Sequence, residues 1–398
     1  MSFNQYTWDL YKQTTIGIEM IKYFSDAGGY VLFKDYCPYA NFIPEDLYND
    51  WLENIYCYGV SDYDHPSLLE EAKDLYISLI TLGIRVEGQQ WLPANDFKNM
   101  LGIIQPMSYV LSQFAPEYFF PYLFLCRIFE LNKIADFFNI DLPNIPKRTD
   151  YKGRCMYYWE LCEVFYLFRK ENGLSPADLW SFLYDFAPNN LPSEKIDMPK
   201  PSQVWFIGGR LYQEDKSLES KFWQSSPETK KGDILVHYET SPISAITCIE
   251  ISLTDGVIDP LFRYYGCIYI GNRINIPHIT LKELQTDEYF FKHPLVRKNF
   301  QGVNGWSVNS ENYSELLRMI KTKGFDIEVL PKLYAPTLPK DVIIEYEHDV
   351  EQQLLEPLLN SMGWYENKDF IRQLPIQAGR GHRIFPDYAL HYGNKPNE

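Results

Sequence analysis

No two cysteines in this 398-residue chain are spaced as Cys-x-x-Cys, although seven are present: Cys37, Cys57, Cys126, Cys155, Cys162, Cys248 and Cys267. An odd, scattered set supplies neither a zinc motif nor a disulfide framework, and it fits a reducing cytoplasm. No apolar run approaches the ~18 residues that a membrane-spanning helix needs. The candidate Tyr118 to Phe129 is short and is broken by Pro121 and Arg127. The start, Met-Ser-Phe-Asn-Gln-Tyr, lacks a basic region followed by an apolar one, so neither secretion nor membrane insertion is expected. There is no Gly-x-x-x-x-Gly-Lys-Ser/Thr phosphate loop and no Gly-x-Ser-x-Gly elbow, which disfavours an intrinsic NTPase or serine hydrolase. His348, His382 and His391 share no metal-ligand spacing. Internal repeats and low-complexity tracts are also missing.

Basic residues are scarce. Lys and Arg number 37 against 53 Asp and Glu, a formal charge of −16, which argues against nonspecific coating of DNA. The imbalance is uneven: residues 1–200 hold 16 basic against 27 acidic side chains, while residues 201–335 hold 15 against 16. A polyanion would meet least repulsion in the middle of the chain. Aromatic residues, by contrast, are abundant, with 31 Tyr, 25 Phe and 9 Trp. Heavily packed cores and base-stacking surfaces both draw on that supply.

The length predicts two or three domains, and the patterning predicts a multidomain α+β protein. Residues 1–190 read as an all-α domain. Leu68–Leu82 and Met156–Arg169 repeat apolar residues at three-to-four spacing, and Ser175-Pro176-Ala177-Asp178 is a strong helix start. With the preceding Gly173 turn this region superficially resembles a repressor-type helix-turn-helix. Its second helix (Leu179, Trp180, Phe182, Leu183, Tyr184, Phe186) is core-like and nearly free of bases, so assembly or partner contact is the expected role. Residues 203–330 read as a small β-barrel: short alternating runs at Gln203–Ile207, Gly232–Tyr238, Ala245–Ile251 and Cys267–Ile270 are closed by a helix near Tyr313–Lys323. Residues 341–398 begin an α/β core.

Two resemblances refine this reading. Trp205-Phe206-Ile207-Gly208-Gly209-Arg210, Phe222-Trp223, Lys231-Gly232-Asp233 running into Tyr238, and Ile258-Asp259-Pro260 together resemble the EVE branch of the PUA-like fold. That resemblance covers about a third of the chain and implies a binder of modified bases. A flipped base needs flat apolar walls and a few polar groups at its edge. Trp223 and Tyr238 are the wall candidates, with Trp306 and Tyr212 behind them, and Arg210, Lys221, Lys230 and Lys231 could hold phosphates. The alternative is that Trp205, Trp223 and Tyr238 simply fill the barrel.

The second resemblance lies in Glu347-His348-Asp349-Val350, Met362-Gly363-Trp364, and Arg383 with Phe385-Pro386-Asp387-Tyr388. These residues are similar to the N-terminal nuclease domain of type I restriction endonuclease motor subunits, and more broadly to PD-(D/E)XK nucleases. Helical phase places Glu347 in line with Val350, Leu354 and Leu358 on an inward stripe, and turns Glu351 toward solvent. The resemblance implies that Asp387, expected at mid-strand, binds Mg²⁺ with help from Glu347. The Glu-x-Lys strand that would supply the second carboxylate and the lysine is not among these residues, so cation affinity should be weak and cleavage is not expected from this form.

The combined expectation is a cytoplasmic, modification-dependent restriction or anti-phage defence protein. It would bind modified double-stranded DNA through the middle domain, and a partner or a second copy through residues 1–190. A noncatalytic nucleic-acid-binding or protein-interaction scaffold is the alternative.

Overall fold

A computed structural model of the chain describes residues 3–37, 40, 43–82, 85–86, 89–90, 96–192, 198–210, 220–334, 344–377 and 383–390. It divides into two compact units, Met1–Glu194 with Asp259–Tyr265, and Lys195–Ile258 with Gly266–Glu398. Helix and a curled half-barrel sheet coexist, with the helices concentrated toward the N-terminus. No described helix is long and apolar enough to cross a membrane.

The first unit carries α1 (Gln5–Tyr11), α2 (Thr15–Asp26), α3 (Gly29–Tyr36), α4 (Glu45–Ile55), α5 (Leu69–Leu82), α6 (Phe97–Met100), α7 (Ile104–Phe114), α8 (Ile128–Phe138), α9 (Tyr151–Glu171), α10 (Pro176–Ser181) and α11 (Ala187–Asn190). It is not purely helical: β1 (Arg85–Val86) and β2 (Gln89–Gln90) form an antiparallel pair between α5 and α6. Local chemistry sets the helix starts. Ser175 caps α10 by accepting from the Asp178 amide, while Asp178 accepts from Ser175 in return. The α9–α10 turn is closed by Gly173 at φ +62°, a region that glycine enters without steric penalty. Leu179, Trp180, Phe182, Leu183, Tyr184 and Phe186 are all buried, so this helix presents no reading face. Much of the aromatic excess is spent here. Trp8, Tyr11, Phe138, Phe182 and Phe186 meet edge-on or stacked, and Phe33 stacks on Tyr48 with ring centres 3.8 Å apart.

Asp259–Tyr265 belongs to the same helical unit. Buried Arg154 on α9 donates from Nε to the Pro260 carbonyl at 2.8 Å and from Nη2 to that of Phe262 at 2.7 Å. Tyr265 donates to the Pro146 carbonyl at 2.6 Å. Asp259 Oδ1 accepts from the Leu261 and Phe262 amides, and its Oδ2 is buried without a hydrogen-bond partner.

The second unit is built on β3 (Val204–Gly209), β4 (Ser220–Gln224), β5 (Ile234–Glu239), β6 (Ala245–Ser252), β7 (Val257–Ile258), β8 (Gly266–Thr280) and β9 (Trp306–Val308). The sheet order is β4-β8-β6-β5-β3-β9, with β7 also on β8, and all pairs are antiparallel except β3 with β5. The long β8 pairs with β4 near its start and with β6 toward its end, and register shifts interrupt the β6–β8 and β5–β6 ladders. Such shifts sharpen local twist, which is what curls the sheet. Period-two alternation then gives it two different faces. Val204, Phe206, Ile234, Val236, Tyr238 and Ile246 pack with Leu284, Leu316 and Ile320 of α12 (Leu281–Thr286) and α14 (Ser310–Thr322) in the larger core, which α13 (Pro294–Arg297) also joins. Trp205, Ile207, Leu235, Ile268 and Ile270 form a smaller core on the other face, with Trp223 at its margin.

The same unit includes a helix running from α15 (Glu347–Val350) through a wide turn, Glu351–Leu355, into α16 (Glu356–Ser361). After it the chain folds back on itself, β10 (Phe370–Arg372) with β13 (Tyr388–Leu390) and β11 (Ile376–Gln377) with β12 (Arg383–Ile384). Lys230 anchors this segment: it makes a buried ion pair with Asp369 and lies 5.5 Å from the centre of a Trp364 ring. Lys368 pairs with Asp255 at 2.8 Å.

Candidate functional site

On the smaller-core face, β5 and β6 hold a polar group in apolar surroundings. His237 follows Leu235 by two residues and so shares its face. The ladder sets His237 opposite Cys248 and Leu235 opposite Glu250. His237, Cys248 and Glu250 are fully buried or within one per cent of it. The His237 Nδ1 lies 3.0 Å from Glu250 Oε2, and Arg273 of β8 donates to Glu250 Oε1 at 2.7 Å. Among the described residues these three side chains are the one group of three or more potential metal ligands, with ligand atoms all within 4.8 Å of one another.

Burial raises the Glu250 carboxyl, but His237 and Arg273 outweigh it and hold the group below its ordinary range. An ionised carboxylate only accepts, so the imidazole Nδ1 carries the hydrogen that points at it. The other ring nitrogen, Nε2, is buried with no hydrogen-bond partner. Leaving such a group unpaired costs roughly 1–3 kcal/mol. Burial also pushes the Cys248 thiol up to about 12, so it is protonated and inert as it stands.

Trp223 of β4 closes one side. Its ring meets His237 edge to face with centres 4.8 Å apart. Gly209 makes this possible, because a Cβ there would sit 2.6 Å from Trp223 Cζ2. The indole N–H reaches Asn304 Oδ1 at 3.3 Å, and the Gly208 amide donates to the same oxygen at 2.8 Å. The paired glycines are therefore a seat for the indole and its asparagine. Asp233, at the opposite end of the β3–β5 pair, accepts from the Trp205 indole at 2.9 Å, the Gln203 amide at 3.1 Å and the Lys230 amide at 2.8 Å. Even so, burial raises its carboxyl to about 6.

The sequence-derived candidates fall in different places. Trp223 is half-buried beside the polar group. Tyr238 is not its facing wall: adjacent to His237 on a strand, it points to the other face and stacks on Phe300, ring centres 4.0 Å apart and nearly parallel. Trp306 packs against that same larger core. Tyr212 lies outside the described residues, as does the side chain of Lys221. Arg210 is exposed and donates to the Ser241 carbonyl at 3.2 Å. Lys230 is not a solvent-facing phosphate contact, since its ammonium is buried on Asp369. Lys231 is half-buried and its amide donates to Asp255.

The acids of the nuclease-like segment also differ from expectation. Glu347 is exposed, as is Val350, whereas Glu351 is half-buried, the reverse of the inward stripe foreseen. The wide turn at Glu351–Leu355 is the cause: its five-residue repeat rotates the residues before it away from an ideal 3.6-residue phase. Asp387 is exposed in a bend ahead of β13 rather than within a strand, and its Oδ1 accepts from Gln373 at 3.0 Å. Neither acid belongs to a group of three potential ligands among the described residues.

His237, Cys248, Glu250, Arg273 and Asn304 escaped the reading of the sequence. A signal existed in the strands themselves: Ile-Leu-Val-His-Tyr and Thr-Cys-Ile-Glu-Ile each place a polar residue on an otherwise apolar alternation.

No family model and no curated protein matches the chain. Among solved structures, it is similar to the NMR structure of Rpa0253 from Rhodopseudomonas palustris at 13% identity, covering 30% of this chain and 94% of that one, with a TM-score of 0.27. A score that low supports no assignment of fold or function.

Proposed function

We propose that the second unit is an EVE/PUA-like reader that takes a flat, modified nucleobase of double-stranded DNA against Trp223. The observation that carries this reading is a half-buried indole seated on Gly209, with the half-buried Asn304 amide fixed at its edge. A base needs both: a ring to stack on and a few fixed polar groups to discriminate. Arg273, with its side chain 29% exposed, puts a cation beside Glu250. A modification-dependent role in restriction or defence follows if the bound base is a modified one.

Cleavage is the weaker half of the expectation. Glu347 and Asp387 are exposed, and neither joins a group of three potential ligands among the described residues, so this reading rests on binding and not on cleavage. Electrophoretic shifts with plain, methylated and hydroxymethylated duplexes test the proposal. Selective retention of one modified duplex, lost in Trp223→Ala with little change in the melting temperature, is the expected result. Equal or no binding of all three at low salt would reject it.

A further inference from the structure

We infer that His237, Cys248 and Glu250 form a zinc site in the curled sheet. Three observations converge on it. The ligand atoms come from facing positions of two paired strands, His237 opposite Cys248 with Glu250 two residues on, so the backbone ladder fixes their spacing. They lie within 4.8 Å of one another, and one pair is already 3.0 Å apart. Zinc bonds of about 2.0–2.3 Å in a tetrahedron set ligand atoms roughly 3.3–3.7 Å apart, so small side-chain adjustments suffice. The third observation is independent of spacing: His237 Nε2 is fully buried with no hydrogen-bond partner.

The donor set selects the metal. One thiolate, one imidazole and one carboxylate suit Zn²⁺, whereas Mg²⁺ and Ca²⁺ call for oxygen alone. Binding displaces the Cys248 thiol proton to solvent, and His237 coordinates through one ring nitrogen with its single hydrogen on the other; where that nitrogen is Nδ1, the hydrogen facing Glu250 moves to Nε2. Arg273 remains on Glu250 Oε1 and orients the carboxylate from outside the ligand set. Three protein ligands leave a fourth position for water or a bound group, the pattern of sites that do more than brace a fold. This inference does not depend on base reading, and its test uses no nucleic acid.

The full-length protein, stripped with chelator, is titrated with Co²⁺ and then with Zn²⁺. A thiolate-to-cobalt charge-transfer band at one equivalent, bleached by zinc, is expected in the parent chain and in Cys267→Ser, and not in Cys248→Ser. Arg273→Gln is expected to weaken zinc by about 10–100-fold while the band persists. Circular dichroism confirms that each variant is folded. The site is refuted if the parent chain gives no band and retains no zinc by metal analysis. It is equally refuted if folded Cys248→Ser keeps the band, which would assign the signal to another thiol such as exposed Cys57.

Discussion

At the scale of single residues, the polar side chains inside the two cores are the most consequential. Asp259 is fully buried, and burial raises its carboxyl to about 7, against the pull of the Leu261 and Phe262 amides and of Arg154. Its folded value lies above the unfolded one, so the folded state binds the proton more tightly. Its contribution therefore favours folding at low pH and is lost as pH rises from about 4 to about 7. Asp259→Asn keeps the Oδ1 acceptor and removes the charge. It should raise stability above pH 7, by at most about 4 kcal/mol, and flatten the dependence between those limits. Urea melts of both proteins at pH 5 and pH 8 measure this. Gly209→Ala tests the other unit. Its methyl collides with the Trp223 ring, so indole fluorescence should shift and duplex selectivity should fall, with a stability loss of roughly 1–3 kcal/mol.

At the scale of elements, what could be read from the chain depended on whether its signal was local. The α10 cap was legible because Ser175 and Asp178 stand three residues apart. β3, β5, β6 and the start of β8 were legible because alternation is local too, whereas β4, β7, β9 and the rest of β8 were not read as strands. Glu347 was misplaced because one wide turn of five residues reset the phase of its helix, and nothing in Glu-Gln-Gln-Leu-Leu announces such a turn. Tyr238, named as a wall candidate with Trp223, lies in the larger core, the barrel-filling alternative for that residue. Parity along the strand separates Tyr238 from His237. Lys230 could not have been read at all, since Asp369 is 139 positions away. That ion pair yields a further prediction. Both side chains are buried, so Lys230→Met leaves an uncompensated carboxylate and should cost about 3–5 kcal/mol. Lys230→Met with Asp369→Leu should recover most of the loss. Hydrogen exchange at Phe370–Arg372 reports whether the segment after Trp364 loosens in the single variant and not in the double.

At the scale of the whole molecule, the net charge of −16 sets the terms for any nucleic acid. A protein this acidic cannot rely on backbone neutralisation, so binding should owe more to the base than to phosphate. The affinity for a preferred duplex should fall only modestly between 50 and 200 mM salt, a slope of about one or two released ions rather than the 6–10 of a phosphate-coating protein. A steep slope would point instead to a cluster of basic side chains acting on phosphate. Incubation with supercoiled plasmid and Mg²⁺ is expected to leave the plasmid intact, and accumulation of nicked circles would return Glu347 and Asp387 to a catalytic role.

The assignment of Asp259–Tyr265 to the helical unit has a consequence for how the chain is made. The ribosome delivers Met1–Glu194 first, but the carbonyls of Pro260 and Phe262 that satisfy Arg154 emerge some seventy residues later. At about 5–20 residues per second the nascent helices wait roughly 4–14 s with a guanidinium lacking two of its three acceptors. Maturation of the first unit is thus timed by the translation of the second, and an expression clone stopped at Glu194 should yield aggregate where the full 398-residue chain yields folded protein.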